Sequence, residues 1–215
     1  VEIYETEEQQ VEAIKTWWKE NHQTVYIGVV MGIAIVVGWT FWQDHKKDQT
    51  LQASTEFNQL SKAFEAKQND SVSKLAERIN GQYPGSDYAA YSTLLAAKVK
   101  VEQNDMAAAK QLLEKIAASN NKELANIAKI RLLRIMLANK EYEQGLKLVN
   151  DIDPAKSESF SAEYDELVGD LYVGLDRLDQ ARTSYQSALR NGKQSPLLQM
   201  KINDLTAPEK IENTK

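Results

Sequence analysis

Residues 162–193 read AEYDELVGDLYVGLDRLDQARTSYQSALRNGK. Gly169, Tyr172, Ala181, Tyr185 and Ala188 stand in this stretch at spacings that put small and aromatic residues on facing sides of two helices. Small residues let the two antiparallel helices of a hairpin approach closely. The aromatic side chains fill the space against the next hairpin.

The same pattern returns upstream at a fixed offset. Moving back 36 residues gives Leu133 and Met136 on a first helix, then Gly145, Val149 and Ile152 on a second. A further 36 gives Ala97, then Ala109, Leu113 and Ile116. Gly169, Tyr172, Ala181, Tyr185 and Ala188 have the spacing of a tetratricopeptide repeat, in which the two earlier units replace aromatics by aliphatics and the usual period of about 34 is slightly lengthened. A fourth, irregular hairpin is expected over about 46–82, ending at Tyr83-Pro84-Gly85, and a capping helix near 195–205. A polar tail, 206–215, follows. Apolar residues recur at i, i+3, i+4 throughout, with no sustained alternation of period two, so the fold class is all-α. Pro84, Pro154 and Pro196 lie between periodic segments, and Asn-Asp, Asn-Asn and Asn-Lys pairs at 69–70, 104–105, 120–121 and 139–140 supply turns and caps. A helical bundle with accidental spacing is the alternative; two equal offsets favour the α-solenoid of hairpins.

Upstream of the hairpins, residues 24–42 read TVYIGVVMGIAIVVGWTFW, without a charge. As a helix this run covers ~28 Å, about the hydrocarbon thickness of a bilayer. Every tryptophan of the chain flanks it, Trp17 and Trp18 before it and Trp39 and Trp42 at its end. Indole rings settle at membrane–water interfaces, so this reads as an aromatic belt around a transmembrane helix. The preceding region is acidic and the exit, Gly38-Trp39-Thr40-Phe41-Trp42, is bulky, so the segment is expected to stay as an uncleaved anchor. Lys15 and Lys19 before it balance Lys46 and Lys47 after it, so the positive-inside rule leaves the orientation open.

Charge and composition bound the function. The 23 residues before the span carry six Glu and two Lys, and thus −4 of the net −5; residues 43–215 are nearly neutral. That balance excludes a nucleic-acid binder, which needs a basic surface. There is no cysteine, and the two histidines, His22 and His45, lie at opposite ends of the span, so neither a nucleophilic dyad nor a His-rich metal site is expected. No phosphate-cradling loop occurs. Clusters such as Glu163, Asp165, Glu166 and Asp170, and the basic set Lys129, Arg131, Arg134 and Lys140, read as solvated helix surface. No enzyme activity and no cofactor are expected.

The acidic start VEIYETEEQQVEAIKTWWKEN, the single span followed by GWTFWQDHKK, and the helices ending in QMKINDL together resemble the YfgM family of ancillary subunits of the bacterial Sec translocon. The resemblance covers essentially the whole chain. It implies a cytoplasmic tail over 1–23, an inner-membrane helix over 24–42 and a periplasmic repeat domain over 43–205. It also implies association with the SecYEG translocon and with the membrane-anchored periplasmic chaperone PpiD. On this basis the chain is expected to be a protein-binding adaptor that links emerging secretory polypeptides to chaperones. The alternative is a scaffold that binds only resident membrane or envelope proteins.

Two sets of residues are candidates for contact. In tetratricopeptide repeats the first helix of each hairpin lines the concave side. Transferred to the aligned units, this places Tyr91, Leu94, Lys98, Arg134, Glu166 and Asp170 there, although such positions can equally be ordinary solvated ones. The mixture of charges is unlike a ring of Lys and Asn that clamps a C-terminal carboxylate. In the span, Gly28 and Gly32, continued by Ala34 and Gly38, form a small-xxx-small pattern that allows close helix approach in lipid, though glycine is common in spans. Before it, Thr6-x-x-Gln9 is a capping-box pattern. The apolar face Val11, Ile14, Trp17 and Trp18 reads as a short amphipathic helix contacting membrane lipid or a partner's loop.

Overall fold

A computed structural model describes residues 7–153 and 157–205. Thr6 of the capping-box pattern, Pro154 and the tail 206–215 lie outside the described residues. Among the described residues all regular structure is helical. In chain order the helices are α1 (Glu7–Glu65), α2 (Asn69–Gln82), α3 (Asp87–Glu102), α4 (Met106–Ala117), α5 (Lys122–Ala138) and α6 (Tyr142–Asn150). A 3₁₀ turn (Glu158–Phe160) then leads to α7 (Ser161–Gly174), α8 (Leu178–Arg190) and α9 (Pro196–Asp204).

The chain divides into two compact units, 1–52 and 53–215. The first is the bulk of α1, a single helix with a stretch long and apolar enough to cross a membrane. Sequence reading separates a short amphipathic helix from the span, whereas α1 runs through both without a break. The reason is local: no proline or glycine interrupts residues 7–27, so nothing turns the chain before the apolar run. Val30, Ile35 and Phe41 are 65 %, 71 % and 76 % exposed, so no other described part of the chain covers the apolar run. The Thr40 hydroxyl near its end is satisfied within the helix, Oγ1 donating to the Val36 and Val37 carbonyls at 3.1 and 2.9 Å. Trp39 and Trp42 rings lie 5.4 Å apart, and Lys46 Nζ sits 4.5 Å from the Trp42 ring centre.

The second unit is a run of helical hairpins. Its first arm is the end of α1 from Ala53, which pairs with α2 and corresponds to the irregular hairpin read at about 46–82. The hairpins α3/α4, α5/α6 and α7/α8 follow, and α9 lies where the capping helix is expected. Each hairpin reverses through the same turn. Lys67, Asn104, Lys140 and Asp176 are the four non-glycine residues of positive φ among the described residues, at 55, 61, 61 and 58°. The next residue's N–H then closes onto a carbonyl five residues back: Gln68 to Ala63 at 2.9 Å, Asp105 to Lys100 at 2.8, Glu141 to Met136 at 2.8 and Arg177 to Tyr172 at 2.9. This satisfies carbonyls that the helix end would leave orphaned. Asn104, Lys140 and Asp176 are 36 residues apart, so the backbone repeats with the period read from the side chains. Side-chain caps fix the next starts: Asp105 accepts from Ala108 N–H at 3.1 Å, Asn121 from Leu124 at 3.2 and Ser195 from Leu198 at 3.1.

The positions singled out in the repeat form its core. Ala97, Ala109, Leu113 and Ile116 are buried between α3, α4 and α5, while Leu133 belongs with Leu167 and Leu171 between α5 and α7. Ala181, Tyr185 and Ala188 are buried with Leu198 and Ile202 of α9. Ile152 lies beyond the end of α6, in the turn, but still packs on the core, so the second unit has a shortened second helix. A Cβ on Gly169 would stand 2.2 Å from the Tyr185 ring, and one on Gly145 2.8 Å from Leu171. These glycines are needed for proximity. Both have Ala-sized or larger residues at equivalent places in other units, where the facing side chain differs.

Gly169→Ala is therefore expected to lower stability by about 1–3 kcal/mol, because the Tyr185 ring is itself buried and has nowhere to retreat. Thermal unfolding followed by circular dichroism checks this, and Gly81→Ala, with open space around it, should leave the midpoint nearly unchanged.

Candidate functional site: a cation-rimmed groove on the first helices of the hairpins

The positions expected on the inner face separate into three groups. Tyr91 is 39 % exposed and completes an aromatic cluster with Phe57 and Tyr88; ring centres lie 6.0 and 6.2 Å from it, and Phe57 and Tyr88 are 5.6 Å apart. Phe57 comes from the last turns of α1 and the tyrosines from the first turns of α3, so two neighbouring first helices build the patch together. Lys98, two turns further along α3, is exposed. Its ammonium lies 4.8 Å from the Phe64 ring centre and 4.0 Å from Glu102.

Leu94 needs correcting. It is only 6 % exposed and packs with Ala97, Leu113 and Ala128 in the core. Lying three residues before Ala97, it shares the side of α3 that faces α4 and α5, so it supports the surface from beneath.

Glu166 and Asp170, the third group, are engaged within the chain. Lys201 of α9 reaches Glu166 at 2.8 Å and Asp170 at 2.7 Å, Lys193 reaches Glu166 at 2.8 Å, and the Tyr185 hydroxyl donates to Asp170 at 2.7 Å. Arg182 also donates to the Leu205 carbonyl, at the end of the same helix. Burial pushes the Glu166 carboxyl upward, but the bonds from Lys193 and Lys201 outweigh it and hold it below the usual carboxylate range. For Lys201 burial acts downward, and the bonds from Asp170 and Glu166 outweigh it and raise it. Lys193 and Lys201 lie in the connection and helix that the sequence marked only as a cap. Their i, i+8 spacing carries no pattern that would pair them with α7.

Between α3, α4 and α5 the structure has a groove with a cavity volume of about 330 Å³. Its floor is apolar, made by Ala97, Val101, Met106, Ile135 and Ala138. Its polar rim is cationic: Lys98 from α3, and Arg131 and Arg134 from α5. Arg134 and Lys98 are exposed, while Arg131 is half-buried and directs one N–H to the Leu94 carbonyl at 3.4 Å. Burial, followed by the neighbouring charge of Arg134, lowers the Arg131 pKa from its ordinary value. Sequence reading spreads Lys129, Arg131, Arg134 and Lys140 around one solvated helix. The structure instead brings two of them to one groove, as their i, i+3 spacing allows. The remaining lining residues, from three helices, carry no motif.

The span candidates lie on α1. Nothing in the chain approaches within 4 Å of a Cβ built on Gly28, Gly32 or Gly38. Because α1 is continuous, roughly 100° per residue puts Gly28 and Gly32 on one face and Ala34 and Gly38 on another, so the small residues form two patches.

Residues 15–207 match the tetratricopeptide repeat-like domain. The chain belongs to that family. It is 29 % identical over 210 residues to a protein of Escherichia coli K12 named ancillary SecYEG translocon subunit, covering 96 % of this chain and 100 % of the relative. A Haemophilus influenzae protein of the same name is 28 % identical over 202 residues, covering 93 % and 97 %. Among solved structures, MamA from Desulfovibrio magneticus has the same kind of fold, with a TM-score of 0.56 at 13 % identity, over 71 % of this chain and 82 % of that one. The YfgM resemblance and the all-α tetratricopeptide-like class thus hold, with the apolar helix included in the aligned region.

Lys201→Met is expected to cost about 1–2 kcal/mol at pH 7, between the values of exposed and buried pairs. The depressed Glu166 pKa gives stability that is complete above the unfolded carboxylate value of ~4.3 and is lost as pH falls through the folded value. The raised Lys201 pKa gives stability that is complete below ~10.4 and lost as pH rises through its folded value. The difference between wild type and variant should hold steady from about pH 5 to 10 and shrink in acid. Thermal unfolding at pH 7 and at pH 3 measures it; a difference that does not shrink in acid contradicts this account of the cap.

Proposed function

We propose that the chain is an ancillary subunit of the Sec translocon, anchored in the inner membrane by one helix, which binds proteins as they leave the channel. The observation that carries this reading is similarity along nearly the whole length to relatives bearing that name, apolar helix and repeat domain together. In this reading residues 1–23 are cytoplasmic, 24–42 span the membrane, 43–205 form a periplasmic binding domain and 206–215 are a polar tail. Trp17, Trp18, Trp39 and Trp42 anchor the helix at the two lipid interfaces. The repeat domain takes an emerging secretory polypeptide, or the membrane-anchored chaperone PpiD that receives it, onto the face carrying Tyr91, Lys98 and Arg134. Anchoring is the mechanism. Holding weak contacts beside the channel raises their effective concentration, so a transient hold suffices.

Three observations support parts of this. The apolar run is exposed, with no other described residues of the chain packed over it. The first helices of successive hairpins carry an aromatic patch and an apolar groove. The small faces at Gly28 and Gly32 are open, so added side chains would disturb a neighbour and leave the chain itself intact.

The function is tested by purifying the chain from crosslinked membranes. SecYEG, PpiD and newly synthesised secretory chains should be recovered together; recovery of resident envelope proteins alone would favour a scaffold. Protease added to spheroplasts should digest the repeat domain and spare the first 23 residues, and protection of the repeat domain would reverse the orientation. Gly28→Leu with Gly32→Leu should insert normally and reduce copurification of SecYEG. Unchanged copurification would remove the glycines from the interface.

A further inference from the structure

The groove between α3, α4 and α5 has a chemistry narrower than that of a general protein-binding surface. Its floor offers aliphatic and thioether carbon only, and methionine at position 106 adapts to side chains of different shape. Its polar rim is of one sign. Lys98 approaches Glu102 only at 4.0 Å, with both side chains about half exposed, and no carboxylate forms an ion pair with Arg131 or Arg134 among the described residues. Burial first, and the neighbouring Arg134 charge second, lower the Arg131 pKa from its ordinary value. Several other cations of the repeat domain are closely paired: Arg78 meets Glu56 at 2.9 Å, Lys110 meets Glu141 at 2.5 Å, Arg177 meets Glu143 at 2.7 Å, and Lys193 and Lys201 share Glu166. At this groove recessed apolar surface thus meets two arginines without an ion pair and one loosely paired lysine.

Resting on the adaptor reading above, we infer that this groove binds a peptide segment in which one or two aliphatic side chains are flanked by carboxylates, the aliphatic groups on the Ala97–Val101–Met106–Ile135 floor and the carboxylates on Lys98, Arg131 and Arg134. Charge complementarity selects the acidic flank. Burial of the aliphatic side chain supplies the affinity, and an exposed cationic rim supplies rate and sign selectivity. A membrane surface does not fit, because a bilayer cannot send its headgroups and its hydrocarbon into a recess bounded by three helices. A nucleic acid does not fit either, since three cations over an apolar floor offer neither a phosphate track nor a stacking platform. Recognition of this kind asks only for an acidic amphipathic stretch, not a defined sequence or a chain end.

The test uses the full-length chain in zwitterionic nanodiscs and four fluorescein-labelled twelve-residue peptides. One carries two leucines flanked by glutamates, one has glutamines in their place, one has lysines in their place, and one keeps the glutamates with alanines for leucines. Anisotropy should show binding of the first peptide and affinities at least about fivefold weaker for each of the others. Lys98→Glu with Arg134→Glu, both at exposed positions, should weaken the first peptide about fivefold and bring the lysine peptide to comparable affinity, with the melting temperature preserved. Equal affinity for the glutamate and glutamine peptides overturns the inference, as does a double variant that binds the first peptide unchanged. Two other results also overturn it: loss, in the double variant, of binding to phosphatidylglycerol vesicles in place of peptide, or loss of self-association measured by light scattering. If none of the peptides binds while secretory chains still crosslink to the repeat domain, the acidic assignment falls and the adaptor reading stands. If the chain also fails to copurify with SecYEG, the adaptor reading itself falls.

Discussion

One residue of left-handed backbone at each reversal sets the architecture. Lys67, Asn104, Lys140 and Asp176 each turn the chain through the same geometry, and the N–H that follows each closes on the preceding helix. A residue other than glycine loses roughly 1–2 kcal/mol in that conformation, and the helix end recovers it through carbonyls that would otherwise be orphaned. Because the reversal is the same each time, the second helix of every hairpin turns back along the first. The contact between them must then be closed by small residues, and the Gly169–Tyr185 contact is the tightest case.

From that constraint follow both the core and the surface. The hairpins bury their alanine, leucine and tyrosine sides against one another and leave Tyr91, Lys98 and Arg134 exposed on α3 and α5. At the C-terminal end the series would expose the apolar side of α8, and α9 covers it with Leu198 and Ile202. Lys201 fastens that cover to Glu166 and Asp170. The acidic residues of α7 thereby serve closure of the domain, and Lys98, Arg131 and Arg134 of α3 and α5 rim the groove.

Much of this was legible in the residues. The 36-residue offset, the long apolar helix and the cap near 195–205 are local patterns, and local patterns survive folding. What the sequence leaves hidden are relations across helices. Leu94 reads as surface by analogy with other repeats, but the face of α3 that carries it is decided by Ala97 and by the shape of α5. Arg131 and Arg134 read as scattered charge because nothing local states that α3 and α4 will bring Val101 and Met106 beside them. The pairing of Lys201 with α7 spans 31 and 35 residues, and no short motif encodes it. The continuity of α1 was also obscured, because a change in composition at residue 24 reads as a boundary while the backbone has no reason to break there.

In the proposed function an anchored repeat domain meets secretory polypeptides through the face carried by its first helices. Site-specific photo-crosslinking in intact cells tests it most directly, with the crosslinker placed in the full chain at Val101, in the groove, and at Glu114, exposed on a second helix. Adducts with newly made secretory chains or PpiD are expected from Val101, and few or none from Glu114. Equal yields from both positions, or adducts from Glu114 alone, would contradict it.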